Sequence, residues 1–595
     1  MSFKNSFWGG LLAYLVGKIV FVILFFIILA GIAGYLVSSI NSSDKEEIIS
    51  VTEATFLQIT LSGEIADRAD DKGIGKLING DNGKISLEEI KEGLKLAEKD
   101  NLVKGILLDF NGLSSGIANI TELRNCFIDF KKSGKKIYSY SSSYSQIDYY
   151  LASCADSVWL NPHGNTEFKG LSAKYLFFKS LLTKMGVEPE IFRQGKYKSA
   201  IEPFDSDSMS AANKEQSLAL VNSIWNEMLQ EISKSRKITT QKLNELADSM
   251  VILNAQQSLH EKLCDQLYYT DQVNEKIKKM SNSTRPLVAI SKYLQSKKLE
   301  EFKEFEKGKN NIAILYAEGE IVDGKGGDGQ IGDLTFIKEL RKIREDSTIK
   351  ALVLRINSPG GSALASENIL REVELTKKKK TVVISMGNLA ASGGYYIACK
   401  SDRIFAQPNT ITGSIGVFGI LFNMNDLFEN KIGVHFDGVK TNEHADMASV
   451  DRKMTEKEKM IINIEIANVY KLFKQRVSEG RGMSIEMADS LGRGRVWSGI
   501  DAKKIGLVDE MGDLEDAIAF AAKKAKISDY QILQYPKQNF ELSKLLKDLT
   551  NIKIENAIIA EPELKSSYAS VVKLMHQMQS MKGIQTRLAG EIIIE

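Results

Sequence analysis

The chain has 595 residues, 43% hydrophobic and 26% charged, with a formal net charge of +2 from 78 basic and 76 acidic side chains. That length exceeds what one hydrophobic core organises, so two or more domains are expected, and eight prolines argue against long disordered linkers. Near-balanced charge gives no electrostatic reason for a nucleic-acid partner. Cysteines without a CxxC pair and histidines without an HExxH motif argue against zinc.

No metal and no cofactor is therefore assigned. Cys126, Cys154, Cys264 and Cys399 read as four buried thiols.

The first predicted element is Ile19–Val37, an uncharged apolar run of the length a helix needs to cross a bilayer core of about 30 Å. It is longer than the apolar core of a cleavable signal, so it reads as a transmembrane anchor over 19–37. Lys4 and Lys18 precede it, and Asp44, Glu46 and Glu47 follow it. The positive-inside bias then puts residues 1–18 in the cytoplasm and the bulk of the chain outside.

Beyond the anchor the sequence repeats. Tyr149-Tyr150 recurs as Tyr395-Tyr396, Asp156 as Asp402 and Pro162 as Pro408, all at an offset of 246. Gly105–Asn111 matches Ala351–Asn357 at the same offset, and Leu246–Met250 recurs slightly out of step as Met487–Leu491. Shared order with small drift indicates a duplicated domain. The short apolar runs Gly105–Phe110, Ala351–Ile356 and Thr381–Ser385 read as buried strands. Charged stretches of helical period lie between and after them, including Ala365–Lys377, Asn213–Lys234 and Glu456–Glu479. Alternating strands and helices predict an α/β fold with a mostly parallel sheet in each copy. The first copy spans 50–290, a charged linker helix 296–309, the second copy 310–530, and a C-terminal extension 531–595. In that extension only Glu591–Glu595 reads as a strand.

Three glycine-rich segments stand out in the second copy: Asn357–Gly361, Ala390–Gly394 and Thr412–Gly416. A phosphate-loop pattern GxxxxGK[ST] is absent, so nucleotide binding is not expected. Ser392 precedes two glycines at a predicted strand-to-helix turn, a position that suits a nucleophile beside an oxyanion hole and equally an N-cap. Across the repeat Ser392 aligns with Gln146, and Gly360-Gly361 align with Ser114-Ser115. Lys198 falls opposite Ala445. A serine in one copy and a lysine in the other are what a single site built from both halves would need. A desolvated lysine can act as a base, although the residues alone equally allow a surface lysine.

Five collinear motifs carry a resemblance: Tyr197–Phe204, Asn357–Ser362, Ala390–Tyr395, Thr412–Gly419 and Gly494–Gly499. On these the chain resembles the long, duplicated-domain form of the signal peptide peptidase A family, Ser–Lys dyad peptidases also called protease IV. The resemblance implies tandem crotonase/Clp-like α/β spiral domains and a serine endopeptidase that degrades cleaved signal peptides and other apolar unfolded peptides. It implies Ser392 as nucleophile, Lys198 as general base, Ser414 as the residue orienting that lysine, and Gly360, Gly361 and Gly393 as oxyanion-hole donors. It further implies a homotetramer anchored in the bacterial inner membrane, with its catalytic domains on the extracytoplasmic side. A crotonase-type acyl-thioester enzyme and a non-catalytic membrane-tethered scaffold are the competing readings.

Overall fold

Runs such as Val103–Leu113 and Ile349–Ser358 are apolar on both faces, so each must be covered from two sides. Both are inner strands of parallel sheets. The computed structural model describes residues 51–68, 85–301, 310–537, 584–587 and 593–594. The expected segments 1–18 and 19–37 lie outside the described residues, as does most of 296–309. Among the described residues no helix is long and apolar enough to cross a membrane.

The first half contributes β1 (Thr55–Gly63), β2 (Val103–Leu113), β3 (Lys136–Ser141), β4 (Ser157–Leu160), β5 (Ala173–Lys174), β6 (Glu188–Gln194), β7 (Gln266–Leu267) and β8 (Leu287–Ala289). The second begins with β9 (Asn311–Glu318), β10 (Glu320–Val322), β11 (Gln330–Gly332), β12 (Ile349–Ser358), β13 (Gly360–Ser362) and β14 (Thr381–Ala391). It continues with β15 (Arg403–Ala406), β16 (Ile411–Gly413), β17 (Val417–Asn423), β18 (Val496–Ser498), β19 (Glu510–Met511) and β20 (Gln531–Tyr535). Near the end of the chain lie β21 (Ile584–Arg587) and β22 (Ile593–Ile594).

The repeat is explicit in the topology. The first sheet runs β7-β4-β3-β2-β1-β8, every neighbour parallel. The second half repeats that order as β19-β15-β14-β12-β9-β20, again all parallel. Register follows too: Ile106 pairs with Ile137 in the first sheet, and Leu352 with Val382 in the second. The long helices Ala211–Arg236 and Glu456–Arg481 occupy corresponding places in sequence. Each starts at a hydroxyl N-cap, Ser210 or Thr455, and stops at a left-handed residue, Lys237 or Gly482.

Three expectations need correcting. The charged linker helix begins earlier, at Ile290, and its first turns are not free: Ile290 and Tyr293 are buried in the core of the first half. The extension after 530 is partly integral, because β20 completes the second sheet against β9. Cys126 is half-buried, while Cys154, Cys264 and Cys399 are buried; all four are free thiols. The chain end does form a short strand, β22, antiparallel to β5.

A third sheet, β11-β10-β13-β21-β17-β6, joins the halves. In it β6 of the first half runs antiparallel to β17 of the second, from Glu188↔Asn423 to Gln194↔Val417. The halves are also locked by buried charge. The Arg355 guanidinium, on β12, reaches Asp67 at 2.8 and 3.0 Å and Glu122 at 3.0 Å, both from the first half. Lys91 continues the chain to Glu122 at 2.6 Å and to Asp513 at 2.7 Å. Burial raises the Asp67 carboxyl pKa, but the Arg355 charge and hydrogen bonds, with Lys91 and Asn119, together outweigh it and hold the group ionised below its ordinary range. Removing one partner of such a network strands the others. Arg355→Met is therefore expected to destabilise the protein by about 3–5 kcal/mol, read as a lowered urea midpoint at neutral pH. An unchanged midpoint would show that this network does not hold the halves together.

Candidate active site

The site forms where the third sheet meets the end of β14. That strand runs on through Ala390 and Ala391 and delivers Ser392 at a sharp turn into the helix Gly393–Ala398. The turn is strained: Ser392 has φ 53° and ψ −111°, a conformation that L residues avoid unless their surroundings enforce it. Two backbone bonds do so. The Ser392 N–H donates to the Gly413 carbonyl, and its own carbonyl accepts from the Tyr396 N–H, both at 2.8 Å. No N-cap hydrogen bond engages the Ser392 side chain, so the hydroxyl is left to another partner.

That partner comes from the other half. Lys198 Nζ lies 2.8 Å from Ser392 Oγ, 3.0 Å from Ser414 Oγ and 3.2 Å from the Ser414 carbonyl. Lys198, Ser392 and Ser414 are each no more than 1% exposed. The Phe418 ring centroid is 6.0 Å from the amine, and Ala200, Ile201, Phe204 and Ile420 pack in the same apolar cluster. The amine therefore contacts hydroxyls, a carbonyl and hydrocarbon, and burial pushes its pKa well below the ordinary lysine value. In its neutral form such an amine has a lone pair with which to take a proton from the hydroxyl beside it.

Several contacts fix the lysine. The pairing of β6 with β17 carries the chain to Gly195, after which the Tyr197 N–H donates to the Arg493 carbonyl at 2.8 Å. Gln216, from the helix Ala211–Arg236, donates to the Tyr197 carbonyl and to Ser199 Oγ, each at 3.0 Å. Its own carbonyl oxygen accepts from the Val496 N–H of β18 at 3.3 Å. Gln216 thus ties the segment around Lys198 to both halves; its polarity on a predicted amphipathic helix gave no sign of this. Gly494, with φ +80°, lets the chain pass so close that a Cβ there would sit 2.5 Å from the backbone nitrogen of Lys198 and 2.6 Å from its Cα. The Ser199 hydroxyl accepts from Gln216.

The three glycines of the expected oxyanion hole converge here. Gly360 and Gly361 lie in the short strand β13, and Gly393 follows Ser392 directly. The Gly360 Cα is 3.0 Å from where a Cβ on Gly393 would sit. The Gly360 N–H already donates to Ser358 Oγ at 3.2 Å. Tyr395 and Tyr396 are buried in the core of the second half.

The corresponding place in the first half is filled. Gln146, aligned with Ser392, accepts from the N–H groups of Lys169 and Gly170 and donates to the Gly170 carbonyl, all at 2.9 Å. Its side chain serves as a local tie, and the neighbouring Ser145 hydroxyl is engaged as the helix N-cap, accepting from the Asp148 N–H at 3.1 Å. Because Gly494 has no room for a side chain, Gly494→Ala is expected to displace Lys198. A shift of about 1 Å at a reacting group costs on the order of 10²-fold in rate, so kcat on an apolar peptide should fall by about that much. Undiminished kcat would mean that the position of Lys198 does not matter.

The model of Peptidase family S49 matches the chain twice, at residues 129–284 and 374–528. Protease 4 of Salmonella typhi is 34% identical over 545 residues, covering 88% of this chain and 86% of its own. Protease 4 of Haemophilus influenzae is 35% identical over 552 residues, covering 88% and 89%. The chloroplastic serine protease SPPA of Arabidopsis thaliana is 29% identical over 561 residues, covering 91% and 78%. Among solved structures, a mutant ClpP1 from Listeria monocytogenes aligns with 34% of this chain at 20% identity and a TM-score of 0.24. The family match and the full-length peptidase relatives set the acyl-thioester and scaffold readings aside. With two copies of one family's domain and relatives matched along nearly their whole length, the chain belongs to peptidase family S49 and is a serine peptidase.

Proposed function

We propose that Ser392 and Lys198 are a catalytic dyad that hydrolyses peptide bonds in apolar, unfolded segments, signal peptides left after preprotein cleavage being the intended substrate. The observation that carries this reading is the 2.8 Å approach of a buried lysine amine to a strained serine, with hydroxyls and hydrocarbon around it. The neutral amine takes the hydroxyl proton as Ser392 Oγ attacks the scissile carbonyl. The tetrahedral intermediate carries its charge on the former carbonyl oxygen, beside the N–H groups of Gly361 and Gly393. Gly360 joins them only if its bond to Ser358 opens. The lysine then returns its proton to the departing amine, leaving an acyl ester on Ser392. Water hydrolyses that ester with Lys198 again as base. Ser414 keeps the amine aimed at the serine through both steps.

Ile19–Val37 anchors the chain in the bacterial inner membrane, with residues 1–18 cytoplasmic and both repeats extracytoplasmic. There an apolar cleft meets the peptides that bilayers retain. The repeats are crotonase/Clp-like spirals, and four chains assemble around a shared interior that admits extended segments and excludes folded proteins; the family resemblance supports both points.

Ser392→Ala and Lys198→Met are each expected to lower kcat on an apolar reporter peptide by about 10⁴-fold or more, while the thermal unfolding transition stays cooperative. Full activity in either variant would remove that residue from the mechanism.

A further inference from the structure

The segment Gly492–Trp497 touches a support of each residue in the site. The Arg493 carbonyl accepts from the N–H of Tyr197, the residue before Lys198, at 2.8 Å. The Arg495 carbonyl accepts from the Ser414 N–H at 2.7 Å and so helps to hold Ser414 in a left-handed conformation, φ 51°. Val496 and Trp497 of β18 pair with Gly413 and Thr412 of β16, and the Gly413 carbonyl is the one that accepts from the Ser392 N–H. Trp497 packs closely there: a Cβ on Gly413 would lie 2.7 Å from Trp497 Cδ1.

The Arg495 side chain closes this segment on the first half. Its guanidinium lies over the Tyr197 ring, 5.1 Å from the centroid, and over the Trp497 ring, 4.6 Å from the centroid. A planar cation suits both ring faces. Glu215, from the helix Ala211–Arg236, accepts from Arg495 at 3.3 Å and from the Tyr197 hydroxyl at 3.1 Å. Lys196 also approaches the Tyr197 ring, at 5.1 Å, but from within the first half, whereas Arg495 reaches it from the second. Arg495 and Tyr197 are half-buried and Glu215 is exposed. The cluster therefore lies near the surface, where such contacts add little to the stability of a fold.

We propose that Arg495 is a positioning residue for the peptidase reaction: stacked on one ring from each half, it latches the Lys198 segment to the strands that hold Ser392 and Ser414. This rests on the dyad reading given above. With the latch open, Tyr197 drifts from Trp497, the amine loses its aim at the Ser392 hydroxyl, and water gains access to it. Hydration favours the charged amine, so a loosened site needs a higher pH to become active.

Steady-state kinetics of the full chain on an apolar reporter peptide test this. Arg495→Ala is expected to lower kcat about tenfold with KM unchanged, and to move the acid limb of kcat/KM to higher pH. Its thermal midpoint should change by less than about 3 °C. Tyr197→Leu is expected to lose as much activity, and the double variant no more than either alone, because both open one latch. Arg495→Lys keeps the charge but not the flat face; its kcat should recover less than half of what Arg495→Ala loses, and it carries the test if Arg495→Ala unfolds. A raised KM with unchanged kcat would make Arg495 a substrate contact and overturn the inference. So would losses that multiply in the double variant, full recovery in Arg495→Lys, or a wild-type pH profile in Arg495→Ala. If the wild type itself neither hydrolyses the reporter nor reacts at Ser392 with a fluorophosphonate, the dyad reading has failed and this inference falls with it.

Discussion

The site depends on one contact across the two halves, an amine from the first repeat held 2.8 Å from a hydroxyl of the second, away from water. The proton transfer proposed for this peptidase needs that amine uncharged, and the only strong influence on it is burial. A desolvated lysine is tolerated only where apolar surface and neutral donors and acceptors surround it. Phe418, Ile201 and the two serines supply that environment. The arrangement costs stability. The folded pKa lies below that of the unfolded chain, so the unfolded state binds more protons, and this site's contribution to stability rises with pH up to the ordinary lysine value.

The duplication supplies the rigidity that such a contact requires. Each half has its own parallel sheet with the same strand order, so each presents its active segment from a packed core. The β6–β17 pairing and the Arg355–Asp67–Glu122–Lys91–Asp513 network fix the halves to one another. With the geometry set at that junction, neither repeat needs a complete site. The first has a glutamine tie where the second has its serine.

Much of this was legible in the sequence because it rests on period and position. Buried strands such as Ala351–Ile356 announce themselves as apolar runs, and the common offset exposes the repeat. Asymmetry between the copies singled out Ser392, Gly360-Gly361 and Lys198, although the family resemblance was needed to prefer the dyad over an N-cap and a surface lysine. What escaped detection depends on contacts distant in sequence. Gln216 looks like any polar residue on an amphipathic helix until it is seen bonded to the Tyr197 carbonyl and Val496 N–H. The Ile584–Arg587 segment is short and carries no motif; its place between β13 and β17 is set by open strand edges more than two hundred residues earlier in one case. The linker helix was placed too late because its charge masks Ile290 and Tyr293, which point into the first core.

The central claim concerns a protonation state, and it is tested most directly by titrating Lys198 Nζ by nitrogen-15 NMR in the folded protein, with Lys198→Met to assign the signal. The account predicts a pKa well below the ordinary lysine value of 10.5, with kcat/KM falling as pH drops through that same midpoint. A Lys198 that titrates like a solvent-exposed lysine, in an enzyme that is fully active while the amine is charged, would contradict it.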